Sequence, residues 1–152
     1  MRSAKKSPFF DENHPLWNGW SKWLPLTKEG IKDAPRDAGA YLLRVRQGQR
    51  GRVRALSRLL RRDPNAILDI GQSGGLRVRL LRFLACAADD DVRGHMAGWR
   101  YRYLKLHERL PGRLEFCFVT GVDPVKMEAR LMTEYLDDFG ELPPLNYQFN
   151  WS

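Results

Sequence analysis

Cysteine is scarce in this chain. Cys86 and Cys117 are the only two, both in apolar contexts and without paired spacing. Neither a disulfide framework nor a thiolate zinc site is expected, and reduced thiols in the cytoplasm are. No apolar run approaches the roughly 20 residues that a membrane helix needs. Met1 to Lys6 is basic and polar, and Pro8-Phe9-Phe10 is too short for the apolar stretch of a signal peptide, so neither a leader nor a membrane partner is expected. Internal repeats and low-complexity tracts are missing as well, which excludes a repeat architecture.

One further absence is local. Between Arg44 and Arg62 there is no acidic residue, while arginine occupies positions 44, 46, 50, 52, 54, 58, 61 and 62. The whole chain carries 26 Lys and Arg against 18 Asp and Glu, a formal charge of +8. Without these eight arginines the remaining basic and acidic residues balance, so the entire excess maps to one short stretch. A concentrated excess of this kind suits a phosphate backbone, and guanidinium binds phosphate oxygens bidentately. A solvated helix face is the plainer reading of a charge run.

What is present fits one domain: 152 residues, 43% hydrophobic and 29% charged. Residues 1–35 read as an irregular arm in which Trp17, Trp20 and Trp23 recur every third position, for packing onto the domain or for stacking on bases. Residues 36–152 read as the domain itself. Gly39 to Val45 is expected to be a strand with Tyr41, Leu43 and Val45 on one face. Val53, Leu56, Leu59 and Leu60 make an apolar stripe, which predicts a basic helical insertion at about 46–64. A second strand is expected over Ala66 to Ile70, then a tight loop from Gly71 to Gly75 and a helix over Leu76 to Leu84. Asp89, Asp90 and Asp91 precede His95 and the aromatic run from Trp99 to Tyr103. Leu114 to Thr120 is the third strand. Asp123-Pro124 starts a helix, as an N-cap followed by proline at the first position, and Gly140 stops it after Phe139. The fold class expected is α+β, a three-stranded, mainly antiparallel sheet flanked by helices.

Two residues break the local pattern. On the last helix Glu128 falls inside the stripe formed by Val125, Leu131, Met132, Tyr135, Leu136 and Phe139. A carboxylate there is costly unless it is paired or holds a cation. Asp69 sits within the apolar run from Ile67 to Ile70, just before the glycine loop, and an exposed strand face is its plainer explanation. Local exceptions of this kind gather at functional sites.

Gly39-Ala40-Tyr41, Asp69-Ile70-Gly71 and the helix residues Leu76-Arg-Val-Arg-Leu80, in this order, resemble the GIY-YIG nuclease family. Members carry a Gly-x-Tyr strand, a Tyr-x-Gly strand, an arginine on the next helix, a later helical glutamate and a closing asparagine. Glu128 is similar to that glutamate, Asn146 in Pro143-Pro-Leu-Asn146 to the asparagine, and His95 to a histidine found in some members. The resemblance covers about residues 36 to 148. It departs from the pattern in the long arginine-rich insertion and in Asp69, which stands where the family has its second tyrosine.

The resemblance implies a Mg²⁺-dependent (or Mn²⁺-dependent) endonuclease that hydrolyses phosphodiester bonds in DNA, with RNA as the alternative substrate. It implies that Tyr41, Asp69, Arg79, His95 and Asn146 form the catalytic group and that Glu128 holds the metal. Arg79 would bind the phosphate, and Tyr41, with a pKa lowered by neighbours, would orient or deprotonate the attacking water. Arg50, Arg52, Arg54, Arg58, Arg61 and Arg62 are the expected nucleic-acid contacts. Because an ionised aspartate cannot donate a hydrogen bond, Asp69 opens a second reading, a catalytically impaired nucleic-acid-binding protein on the same fold. A third is an interaction module whose basic segment docks an acidic protein.

Overall fold

The chain's short-range chemistry is visible from its first turns. The computed structural model describes residues 7–47 and 51–147. Ser7 and His14 cap the 3-10 turns Pro8–Phe10 and Pro15–Trp17 through their side chains, each with proline just inside the turn. Strand β1 (Leu24–Pro25) and the single-turn helix α1 (Lys28–Ile31) complete the arm. Next come β2 (Gly39–Gln47), the short strands β3 (Leu56–Ser57) and β4 (Arg62–Asp63), and β5 (Ile67–Ser73). Helices α2 (Leu76–Ala88), α3 (Met96–Tyr103) and α4 (Leu106–Arg109) precede β6 (Gly112–Thr120) and the last helix, α5 (Pro124–Phe139).

The fold is α+β. The three expected strands are present and antiparallel, and the arm adds a fourth, giving the order β1-β6-β2-β5. Alternation along β2 turns Tyr41, Leu43 and Val45 toward α2 and α3, where they pack with Leu76, Leu80, Phe83 and Phe116. Leu42 faces the other way, into a second core built from Ile67, Ile70, Leu131, Tyr135, Phe139 and the arm residues Phe9 and Leu16. Both faces of the sheet are therefore covered, which is why β2 is continuously apolar from Gly39 to Leu43. Trp17, Trp20 and Trp23 pack against this second core.

Among the described residues the expected basic helix is absent. Residues 51–64 include the antiparallel pair β3–β4 instead, with Leu56 opposite Asp63 and Ser57 opposite Arg62. Tertiary hydrogen bonds outweigh the helical spacing here. The Leu60 N–H donates to the Phe139 carbonyl, satisfying an acceptor left over at the end of α5. The fully buried Asp63 carboxylate accepts from the backbone N–H groups of Asn65 and Ile67 and from the Tyr135 hydroxyl. Leu59 and Leu60, assigned by spacing to a core face, are 72% and 66% exposed.

Helix α5 follows its sequence signals at both ends. Asp123 accepts from the Lys126 N–H, and Gly140 closes the helix at φ +75°, where a side chain would be strained. Of the expected stripe, Leu131, Met132, Tyr135 and Phe139 are buried, while Val125 is 46% exposed.

Tyr41 lies directly opposite Gly71 in the β2–β5 ladder, and a β-carbon at Gly71 would overlap its ring. Gly71→Ala should therefore cost about 1–3 kcal/mol of stability through overpacking. In a Tyr41→Ala background, where the ring is gone, the same change should cost far less. Urea unfolding of the four proteins in the cycle measures the difference, and simple additivity would refute the steric account.

Candidate functional site

The ladder that pairs Tyr41 with Gly71 also sets Asp69 two residues away along β5, on the same face of the sheet. Asp69 is not on an exposed strand face; only 3% of it reaches solvent. Helix α2 presents Arg79, whose guanidinium donates to the Gly94 carbonyl at 2.9 Å. His95 is the N-cap of α3 and is buried rather than a surface loop residue. Glu128 projects from the second turn of α5 and is half-buried. Asn146 spans the free edge of β5: its side-chain oxygen accepts from the Ile70 N–H, and its amide donates to the Ile70 carbonyl, both at 2.9 Å. All six residues line one cleft of about 590 Å³.

Hydrogen bonding fixes the histidine tautomer. His95 Nδ1 accepts from the Gly98 N–H, so the proton of the neutral ring sits on Nε2. His95 Nε2 therefore donates to the Tyr41 oxygen, 3.1 Å away, and leaves the phenol proton free to point elsewhere. Burial pushes the His95 pKa down to about 3, with the Arg79 charge acting in the same direction, so the ring stays neutral.

Tyr41 departs from the sequence expectation of a lowered pKa. Burial, then the Asp69 charge, drives its pKa far above the ordinary phenol range, and Arg79 only partly opposes them. Asp69 is pushed up to about 7, chiefly by burial, with Arg79 opposing and Glu128 adding to the rise. Glu128 is also raised by burial against the pull of Arg79. Among the described residues the Glu128 side chain has no hydrogen-bond or ion-pair partner, and no three His, Cys, Asp or Glu side chains converge as a metal site.

The arginine-rich stretch is not part of this cleft, and much of it is already engaged. Arg44 pairs with Glu115 at 2.7 Å and lies over the Trp23 ring, and Arg46 approaches the same carboxylate at 3.5 Å. Arg58 donates to the Leu142 carbonyl at 2.6 Å and pairs with Glu141 at 3.1 Å. Arg61 stacks over Phe10. Arg52, Arg54 and Arg62 are exposed, and Arg50 lies outside the described residues. The β3–β4 ribbon meets α5 at Phe139, 11 residues beyond Glu128, or about 16 Å at the helical rise.

Two lining residues have no motif to announce them. Met96 and Tyr147 border the cleft, beside Gln72 of the glycine loop and Met132 of the α5 stripe. Arg100 of α3 lies over the Tyr147 ring, and its Nε and one terminal nitrogen are buried without a partner. The aromatic run around Trp99 is the only hint in the sequence that this side of the cleft matters. A larger groove, about 870 Å³, lies between the arm and the sheet, but apart from Arg44 none of the residues singled out as catalytic or basic borders it.

Compared with protein-family models, curated proteins and solved structures, the chain matches none of them. The functional reading therefore stands on the cleft.

Two of its groups give opposite pH signatures. Between about pH 4 and 7 folded Asp69 keeps a proton that the unfolded chain has released, so its contribution to stability falls as pH rises. Below about pH 6.5 the unfolded chain protonates its histidine while folded His95 stays neutral, so that contribution falls as pH drops. Relative to the parent, Asp69→Asn should tilt stability upward with pH over the shared window of 4 to 6.5, and His95→Gln should tilt it downward. Each slope is at most about 1.4 kcal/mol per pH unit. Urea midpoints across that window read both, and equal slopes in all three proteins would refute the assignments.

Proposed function

We propose that this protein is a metal-dependent endonuclease of the GIY-YIG type, hydrolysing phosphodiester bonds in DNA. The observation that carries the reading is the convergence of Tyr41, Asp69, Arg79, His95, Glu128 and Asn146 on one cleft, although they span more than 100 positions of sequence. One of them, Glu128, is independently costly where it stands.

The donor set suits Mg²⁺ or Mn²⁺. Magnesium commonly takes one or two carboxylates and completes its shell with waters and substrate phosphate, so a partnerless, half-buried Glu128 is a sufficient protein ligand. A bound ion would supply positive charge for the phosphate and the leaving oxygen. The chain's own groups account for the rest. Arg79 holds the scissile phosphate with its free guanidinium nitrogens. Tyr41, kept protonated and accepting from His95, orients the attacking water by hydrogen bonding. Asp69 is the cleft residue whose proton is exchanged near neutral pH, so its carboxylate takes the role of proton acceptor that a phenolate would otherwise fill. Asn146 keeps the edge of β5, and with it Asp69, in place.

A second reading, a nucleic-acid-binding protein that does not hydrolyse its ligand, is favoured by one observation, the raised pKa of Tyr41. Supercoiled plasmid separates the two. The parent should nick it with Mg²⁺ and not with EDTA, and Glu128→Gln should lower the rate by at least about a hundredfold, in line with removal of a main electrostatic contributor. DNA affinity in EDTA should be largely retained. Absence of nicking by the parent would favour the second reading, and undiminished nicking by the variant would remove Glu128 from the site.

The exposed arginines make a separate prediction. Neutralising Arg52, Arg54 and Arg62 together should flatten the salt dependence of DNA binding, by up to about 0.9 log units for each phosphate that the variant no longer neutralises. Arg58→Ala should instead lower the melting temperature, since it removes the ties to Glu141 and Leu142. An unchanged salt slope in the triple variant would move phosphate binding to the cleft side of the molecule.

A further inference from the structure

Helix α3 has two apolar faces where folding needs one. Ala97 and Gly98 are buried against α2, and a β-carbon at Gly98 would collide with the Phe83 carbonyl and Cys86. Tyr101, on the same side, packs beside Phe83 with ring centroids 6.0 Å apart. The opposite face carries Met96, Trp99, Arg100 and Tyr103, within about 100° of helical arc at 100° per residue. Met96 is 62% exposed and Tyr103 69%. Trp99, 38% exposed, is stacked on Tyr103 with ring centroids 4.9 Å apart and planes 15° from parallel.

This face continues into the cleft. Met96 and Tyr147 line it, and Arg100 bridges the helix to Tyr147. The stretch of sequence that holds α3 is cationic, with eight Lys and Arg residues against four Asp and Glu from Arg77 to Arg109; of these, Arg79 lines the cleft and Arg100 stands on the outward face. Flat rings that the described residues leave exposed, beside Arg100 on the same helix face, are complementary to a partner with flat faces and negative charge.

We infer that the outward face of α3 is a stacking platform for unpaired bases, so that the strand entering the cleft is single-stranded or locally opened DNA. The inference rests on the nuclease reading for the strand's phosphate being at the cleft, but not for the stacking itself. Base–aromatic stacking tolerates any sequence, because every base has a π face, and basic residues beside it follow the backbone. A duplex keeps its base faces buried in its own stack and offers Trp99 and Tyr103 nothing comparable.

The test is binding of a fluorescein-labelled single strand of about 12 nucleotides, and of the matching duplex, to the full protein in EDTA. The parent should prefer the single strand. Trp99→Ala and Tyr103→Ala should each weaken that binding by about tenfold and leave duplex binding unchanged, and Trp99→Phe should restore most of the loss. Both side chains are outside the core, so unchanged melting temperatures will certify the fold. Equal affinity of parent and variants for the single strand would overturn the inference, as would a preference of the parent for duplex. So would sedimentation showing a dimer that the alanine variants dissolve, since the face would then join two copies of the chain. Because binding is read without metal, stacking without plasmid nicking would defeat the nuclease reading alone. Metal-dependent nicking with no effect of the variants would defeat this inference alone.

Discussion

A phenol ring laid across a glycine on the neighbouring strand constrains everything around the cleft. With Tyr41 opposite Gly71, slipping β2 against β5 by one residue would drive the ring into a side chain and turn Leu42 and Leu43 to the wrong cores. The same closeness carries the Tyr41 oxygen to within hydrogen-bonding reach of His95, which in turn caps α3. One steric pair thus links the sheet register, the tautomer of a buried histidine and the start of the helix that walls the cleft. Glycine weakens a strand wherever it stands, and here the ring covers the gap it leaves.

Charge is the second organising fact, and Arg79 is its centre. It opposes burial at Tyr41, Asp69 and Glu128 and adds to burial at His95. It does not win at either carboxylate, since both remain raised. Asp69 and Glu128 also raise each other's cost, because two negative charges share a partly dry space. Arg79, helped at Asp69 by Arg100, does not offset burial at either carboxylate, so ionising both leaves the cleft short of positive charge. A divalent cation relieves that shortage, and an incoming phosphate alone would deepen it. On the proposed nuclease reading, metal and phosphate would therefore enter the cleft together rather than phosphate alone.

The sheet and the last helix are legible in the sequence because their signals are local and mutually consistent. The alternation in β2, the Asp123-Pro124 start and the Gly140 stop require no partner to be read. Glu128 is conspicuous for the same reason, as a charge at the wrong angle on a helix. The arginine stretch misleads because spacing is evidence about a helix only if the helix has a core to face. Here the apolar residues Leu59 and Leu60 face solvent, and the segment is held by contacts more than 70 residues away, to Phe139, Glu141 and Leu142. Asp63 is equally opaque: a buried carboxylate satisfied by two backbone N–H groups and a tyrosine hydroxyl looks, in sequence, like any loop aspartate.

The division of labour among arginines follows from the same distinction between local and distant partners. Those that alternate inward from β2, or that meet the ends of α5, find carboxylates, carbonyls or aromatic rings and are consumed in holding the ribbon and arm to the sheet. Those left in solvent, Arg52, Arg54 and Arg62, do not line the cleft. Near the cleft the available cations are Arg79 and Arg100; the Arg100 guanidinium lies on the Tyr147 ring, and its Nε and one terminal nitrogen are buried without a hydrogen-bond partner among the described residues. A buried guanidinium nitrogen without an acceptor carries a cost of roughly 1–3 kcal/mol or more, which an anionic ligand would remove. Buried guanidinium nitrogens without a partner occur in both regions, on Arg46 and Arg58 as well as on Arg100, and Arg100 is the one of these beside the cleft. On the proposed reading, the Arg100 nitrogens are the ones that an anion entering the cleft would satisfy.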